Sequence, residues 1–296
     1  MLTKEQAQNT DFIKSILSDY FDITKIEIKH SSDTYNSFAY ELNDEIIVRF
    51  PCREVAKDKL IKEHQVLNIL QNKISLEIPY TSLQKTPYLY LWHKKIEGDH
   101  LTQDELSKWT SENKKIFYKD IAVFIYELNK LTDEILKTIR LPLWKKFEKM
   151  DSSEKILDFY EQNQNFSTDE KKFIKSFLKT FNLKNDNEII KFCHFDIMGK
   201  NMAVDNDVQK LIGIYDFGEC AIGDIHKEFC QTALNFNYET ISKIIKEYEI
   251  MSDVNINIHQ VEGYAFYTWL EFCYRYNASD FAISGVKNKI QDMQCL

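Results

Sequence analysis

Two carboxylates and one amide stand at intervals that suit phosphoryl transfer. The segment His194-Phe195-Asp196-Ile197-Met198-Gly199-Lys200-Asn201 places an aspartate five residues ahead of an asparagine. Fifteen residues after Asn201, the apolar run Leu211-Ile212-Gly213-Ile214-Tyr215 ends in Asp216-Phe217-Gly218. Moving a γ-phosphoryl group needs a carboxylate to orient the acceptor hydroxyl, Mg²⁺ against the phosphates, and a cation on the triphosphate. Asp196 can accept a hydrogen bond from the hydroxyl and take its proton late in transfer. Asn201 and Asp216 offer the oxygen ligands that Mg²⁺ prefers. Gly218 allows a sharp turn after the strand. His194 is read as support, bracing the loop by hydrogen bonding.

Such a loop needs a frame that brings distant segments together. Glycine and proline number seven and four, so long irregular linkers are scarce and helix should dominate. Residues 4–19 have apolar positions at helical spacing. Ile23, Ile26 and Ile28, then Phe38, Tyr40 and Leu42, then Ile46, Ile47 and Val48 read as three antiparallel strands, broken at Ser31-Ser32-Asp33 and Asn43-Asp44. A helix follows from about Lys57 to Asn72, then strands at Thr81–Gln84 and Tyr88–Trp92. Helical periodicity prevails from Thr102, except for short strands between about 190 and 217. The expected fold class is α+β, a protein-kinase-like two-lobe fold. Residues 1–95 form a small antiparallel β-sheet N-lobe with one helix, for the nucleotide. Residues 96–296 form a larger, mainly helical C-lobe with the catalytic loop and acceptor site.

The composition narrows the partners. With 46 acidic against 38 basic residues the net charge is -8. That disfavours nucleic acid, which is bound through clustered Lys and Arg, and suits a small cationic acceptor. The six cysteines include no Cys-x-x-Cys pair, so buried reduced thiols are expected. No apolar run reaches membrane-spanning length and no signal-peptide core opens the chain. A cytoplasmic monomer is the expected state, with no membrane partner.

The loop from His194 to Asn201, followed by Ile214-Tyr215-Asp216-Phe217-Gly218-Glu219 and Ile222-Gly223-Asp224, resembles the aminoglycoside phosphotransferase family. The likeness is closest in pattern to the 2''-aminoglycoside phosphotransferases, through Ser31-Ser32-Asp33-Thr34, Val48-Arg49-Phe50-Pro51 and Ile96-Glu97-Gly98. The resemblance implies a kinase that uses ATP or GTP and Mg²⁺ to phosphorylate a hydroxyl of an aminoglycoside, and so confers antibiotic resistance. By that likeness Asp196 is the catalytic carboxylate, Asn201 and Asp216 are the metal ligands, and Glu63 is the helix acid that pairs with a small-lobe cation. Lys94 to Ile96 match the hinge whose backbone meets the purine.

Three positions depart from the family pattern. Arg49 stands where the strand lysine is usual, and Arg49→Lys should then keep or improve turnover. The stretch from Ser31 to Ser37 holds no glycine, which leaves the hydroxyls of Ser31, Ser32 and Thr34 to meet phosphate. Phe195 takes the place of the usual glycine. Carboxylates for a cationic acceptor are expected from the helical lobe, with Asp224, Glu228 and Glu271 as candidates, and Tyr267, Trp269 and Tyr274 as possible walls. Two alternatives stand beside this reading: a kinase for another small alcohol, and a nucleotide-binding module with little transferase activity.

Overall fold

The computed structural model describes residues 1–33, 36–143, 153–181 and 188–294. Helices α1 (Lys4–Gln8) and α2 (Thr10–Leu17) precede strands β1 (Ile28–Asp33), β2 (Ser37–Leu42) and β3 (Ile46–Pro51). Helix α3 (Glu54–Leu70) leads to β4 (Thr81–Gln84) and β5 (Tyr90–Lys94). Helices α4 (Gln103–Lys108), α5 (Ser111–Lys130), α6 (Thr132–Thr138), α7 (Ser153–Gln162) and α8 (Thr168–Thr180) come next. Four short strands follow: β6 (Ile190–Cys193), β7 (Met202–Asp205), β8 (Lys210–Ile214) and β9 (Ala221–Asp224). Helices α9 (Ile225–Ala233), α10 (Tyr238–Ser252), α11 (Ile258–Arg275) and α12 (Asp280–Gln294) complete the order.

The chain forms two compact units. One holds Met1–His100, Asp133–Leu141 and Asn201–Cys220; the other holds Leu101–Thr132, Pro142–Lys200 and Ala221–Leu296. The first crossing falls between His100 and Leu101. The later exchanges are long-range and leave no mark on local periodicity, so Asn201 and Asp216 belong with the first unit rather than the second.

In the first unit five strands form an antiparallel sheet in the order β1-β2-β3-β5-β4. Side chains alternate across a strand, and β3 follows that rule. Val48 and Phe50 join Tyr40, Leu42 and Tyr90 in an apolar core with Ile13 and Leu17 of α2. The Tyr40 hydroxyl donates to the Ala7 carbonyl at 2.5 Å, tying α1 to the same face. Arg49, between Val48 and Phe50, therefore points to the opposite face, where it meets α3.

In the second unit Phe117, Ile121, Phe124, Ile125 and Leu128 are buried at three- and four-residue steps along α5. This helix packs on α10, and α9 packs on α11. A second apolar cluster joins α7, α8, α11 and α12 through Tyr160, Phe177, Phe266 and Leu270. Strands β6 and β9 pair antiparallel. Four of the five described cysteines, Cys193, Cys220, Cys230 and Cys273, are buried, and all five are unlinked. Among the described residues no helix is long and apolar enough to cross a membrane.

Local polar chemistry moved several expected boundaries. Asn9 splits the first helix in two, its Oδ1 accepting from Phe12 N–H to cap α2. Asp22 caps a 3₁₀ turn at Ile23–Lys25, so β1 starts at Ile28 rather than Ile23. Ser32 and Asp33 pair with Ala39 and Phe38 as strand residues, because a register shift after His30 absorbs Ser31 as a bulge.

Candidate active site

One group of candidate site residues lies within the first unit. Arg49 Nη2 donates to Glu63 Oε1 at 2.5 Å, and Arg49 Nη1 lies 3.8 Å from Asp216 Oδ1. The Glu63 side chain is 2% exposed and that of Arg49 17%, so the pair is largely withdrawn from water. Burial opposes both charges. It pushes the Glu63 carboxyl up while Arg49 pulls it back. The guanidinium remains charged, because the pull of Glu63 and Asp216 outweighs its burial. The planar fork turns a separate nitrogen toward each of the two carboxylates.

The hairpin β7–β8 brings Asn201 and Asp216 to one end. Met202 pairs with Ile214, and Tyr215 N–H donates to the Asn201 carbonyl at 3.0 Å. Asp216 has φ 64, in the left-handed region that aspartate tolerates better than most residues. Phe217 behind it is fully buried and anchors the turn, while the Asp216 side chain is 44% exposed. An amide oxygen and a half-exposed carboxylate are hard donors. They are too few to enclose a cation, and so fit Mg²⁺ with its other places left to water and phosphate oxygens. Among the described residues no cluster of three or more His, Cys, Asp or Glu forms a separate metal site.

A second group, the expected catalytic loop, lies within the second unit. Strand β6 that leads into it is pinned by Thr132, the first residue of α6, and by Asn129 of α5: Phe192 N–H donates to Thr132 Oγ1 at 2.9 Å, and Asn129 Nδ2 donates to the Phe192 carbonyl at 2.9 Å. Tyr248 of α10 donates to Asn129 Oδ1 at 2.8 Å and so orients that amide. Asp196 N–H donates to His194 Nδ1 at 3.2 Å. His194 is fully buried, as a loop brace would be. The Asp196 side chain is 16% exposed, with Lys200 Nζ 3.8 Å from Oδ2. Gly199 permits a close approach, since a Cβ there would sit 1.7 Å from the Leu101 carbonyl oxygen.

Two of the acids expected at the acceptor are turned inward. Asp224 caps α9. Its Oδ1 accepts from Ile189 N–H, from His226 N–H and from His226 Nδ1–H at 2.9 Å. Glu228, 0% exposed, accepts from His194 N–H at 3.0 Å and from Phe195 N–H at 2.6 Å. A carboxylate wholly engaged by backbone beneath a loop holds that loop and cannot meet a ligand at the same time. Burial pushes the Glu228 carboxyl up to about 7; the Phe195 and His194 N–H groups pull it down and Asp196 adds to the rise. Glu271 is ion-paired with Arg275 at 2.5 Å on α11. Tyr267 is core rather than wall, while Trp269 and Tyr274 are partly buried against the same cluster.

The expected nucleotide contacts are also placed. Ser31 is the exposed bulge residue of β1, Ser32 lies in that strand, and Thr34 is outside the described residues. Lys94 ends β5, and its carbonyl accepts from His93 Nδ1–H at 2.7 Å. Lys95 N–H donates to the Glu45 carbonyl, and Ile96 packs near Gly213. Sequence reasoning missed three lysines and a histidine. Lys59 of α3 pairs with Glu219, and Lys62 Nζ donates to the Cys220 carbonyl at 3.0 Å, which ties α3 to the turn after Asp216. Lys200 could have been found from its i,i+4 spacing to Asp196. His93 is buried, and that burial, with the charge of Arg49 second, pushes its ring down to about 4.

An antiparallel sheet carrying a cation–acid pair, a strand hairpin ending in Asn and Asp, and an Asp-bearing loop in a helical unit define a phosphotransferase of kinase-like fold. A family model described as the phosphotransferase enzyme family (APH) matches residues 26–243, and the chain belongs to that family. Its fold is similar to the GDP complex of wild-type aminoglycoside 2'-phosphotransferase-IIIa, with TM-score 0.75, 16% identity, and coverage of 96% of this chain and 98% of that one. It is also similar to the gentamicin complex of APH(2")-IIa, with TM-score 0.66, 19% identity, and coverage of 96% of each chain. Macrolide 2'-phosphotransferase type I matches with TM-score 0.60 and 13% identity, again over 96% of each chain.

Proposed function

We propose that this phosphotransferase transfers the γ-phosphoryl group of ATP or GTP to a hydroxyl of an aminoglycoside. The observation that carries the reading is the Arg49–Glu63–Asp216 arrangement, because a buried guanidinium held by two acids is a prepared seat for phosphate charge. Asp196 accepts the acceptor hydroxyl's hydrogen bond and orients its oxygen toward phosphorus. Asn201 and Asp216 would hold Mg²⁺, which when bound neutralises charge on the phosphates. His194 braces the loop, and the backbone from Lys94 to Ile96 meets the purine. A cytoplasmic monomer is the state proposed for the enzyme. Support for the acceptor comes from similar structures solved with gentamicin or kanamycin, and from the net charge of -8, which favours a polycation.

A second reading, phosphorylation of another hydroxyl-bearing small molecule, is favoured by the inward orientation of Asp224 and Glu228. Those two carboxylates are spent inside the protein and do not add to an acidic acceptor surface. Incubation with Mg-ATP or Mg-GTP, with and without kanamycin, gentamicin or a macrolide, separates the readings by acceptor-dependent nucleoside diphosphate release. Release with a macrolide and none with either aminoglycoside would replace the first by the second.

The fork geometry changes the expectation for Arg49→Lys. A lysine supplies one compact charge and lacks the two separately directed nitrogens that face Glu63 and Asp216. Losing one charge-assisted contact should lower kcat/KM for the nucleotide about tenfold. Steady-state kinetics with varied nucleotide checks this, and an unchanged or higher value would mean that the fork is dispensable.

A further inference from the structure

Asp216 holds its left-handed backbone, φ 64, with no side-chain bond capping the 3₁₀ turn Phe217–Glu219 that follows it. That turn closes when Cys220 N–H donates to the Phe217 carbonyl at 3.2 Å. A residue in such a conformation persists where its surroundings over-determine it. Here the surroundings include one face of α3. Lys59, Lys62 and Glu63 stand at i, i+3 and i+4, the spacing that brings side chains together on a helix. Glu63 takes Arg49, whose Nη1 lies 3.8 Å from Asp216 Oδ1 at the start of the turn. Lys59 pairs with Glu219. Lys62 Nζ donates to the Cys220 carbonyl at 3.0 Å, at the end of the turn.

The two lysine contacts differ in kind. The Lys59–Glu219 pair is open to water, with side chains 31% and 43% exposed, so it is screened and adds little. Lys62 is half-buried and its partner is a main-chain carbonyl, so its bond fixes backbone rather than a mobile side chain. Burial is the largest influence on the Lys62 ammonium and pushes it down. A cation drawn away from water is costly unless it is bonded, and the bond it makes is the one that holds the turn. Gly218 leaves little slack between the two ends. A Cβ there would lie 3.3 Å from Asp216 Oδ1 and 3.9 Å from Glu63 Oε2.

We propose that Lys62 is a positioning residue that locks the turn after Asp216 onto α3 and so aims the Asp216 carboxylate at the Mg²⁺ position. One helix face thereby couples the seat for phosphate charge, through Glu63 and Arg49, to the direction of a metal ligand. The consequence for metal rests on the phosphotransfer reading above.

Lys62→Met tests the lock, since it keeps the aliphatic stem and removes the donor. With the protein saturated with ADP, Mn²⁺ stands in for Mg²⁺ and its binding is read by paramagnetic resonance. The expected result is an about tenfold weaker Mn²⁺ affinity, the worth of one charge-assisted hydrogen bond, with the affinity for metal-free ADP unchanged. Amide exchange of Gly218 and Glu219 should be about tenfold faster in the same variant. Lys62→Arg returns a cationic donor of similar reach and should recover most of both losses. Lys59→Met should change either readout by less than about threefold. Wild-type Mn²⁺ affinity in Lys62→Met overturns the proposal, as does an arginine variant no better than the methionine one, or a wild-type ADP complex that takes up no Mn²⁺. If the methionine variant does not fold, Lys62→Gln keeps a shorter, neutral donor and is scored by the same readouts. An enzyme that phosphorylates none of the compounds offered fails the aminoglycoside reading alone, because neither metal binding nor amide exchange needs an acceptor.

Discussion

Asp196→Ala is expected to lower kcat about 10³-fold while leaving nucleotide affinity close to wild type. Its carboxylate is assigned to the acceptor hydroxyl, whereas the donor phosphates are assigned to Arg49, Asn201 and Asp216. The loop around it is held by bonds that alanine does not touch: Asn129 and Thr132 to Phe192, and Glu228 to His194 and Phe195. The variant should therefore fold normally. Diphosphate release measures turnover, and calorimetric titration measures nucleotide binding. A second consequence is electrostatic: the charge of Asp196 helps push Glu228 up, so the Glu228 carboxyl should become more acidic in the variant. An Asp196→Ala enzyme with wild-type turnover would sink the assignment of this loop.

Glu63→Ala should carry the largest stability cost. It removes the closer of two acids around a buried guanidinium, and breaking a buried pair in this one-sided way costs about 3–5 kcal/mol. For a chain of this size that lowers Tm by on the order of 10 °C. Arg49 would then turn to Asp216, now 3.8 Å away, and compete with any cation there. The Mg²⁺ concentration for half-maximal activity should rise together with nucleotide KM. Thermal unfolding and a Mg²⁺ titration of activity check the two halves separately. A Tm within about 2 °C of wild type would mean that the guanidinium is already compensated without Glu63.

What the sequence by itself determined was local. The interval from Asp196 to Asn201, the strand ending at Asp216, the two-residue alternation through β2 and β3 and the helical period through α3 and α5 are set by neighbours along the chain. They suffice for an α+β reading of a phosphotransferase, and the family match and the similar folds bear that class out. Breaks made by short polar side chains were less legible, since Asn9 and Asp22 act through single bonds that periodicity does not register.

The tertiary structure alone decided what each acid does. Glu228 and Asp224 read in the sequence as ligands for a cation, but each is buried. Glu228 lies 34 residues along the chain from the His194 N–H it accepts from, and Asp224 lies 35 from that of Ile189. A carboxylate's role depends on which donors surround it and how much water remains, and both are set by chain segments that meet only on folding. The same holds for Arg49. Its position in β3 was legible, but its fork across Glu63 and Asp216 exists only once α3 and the β7–β8 hairpin are in place.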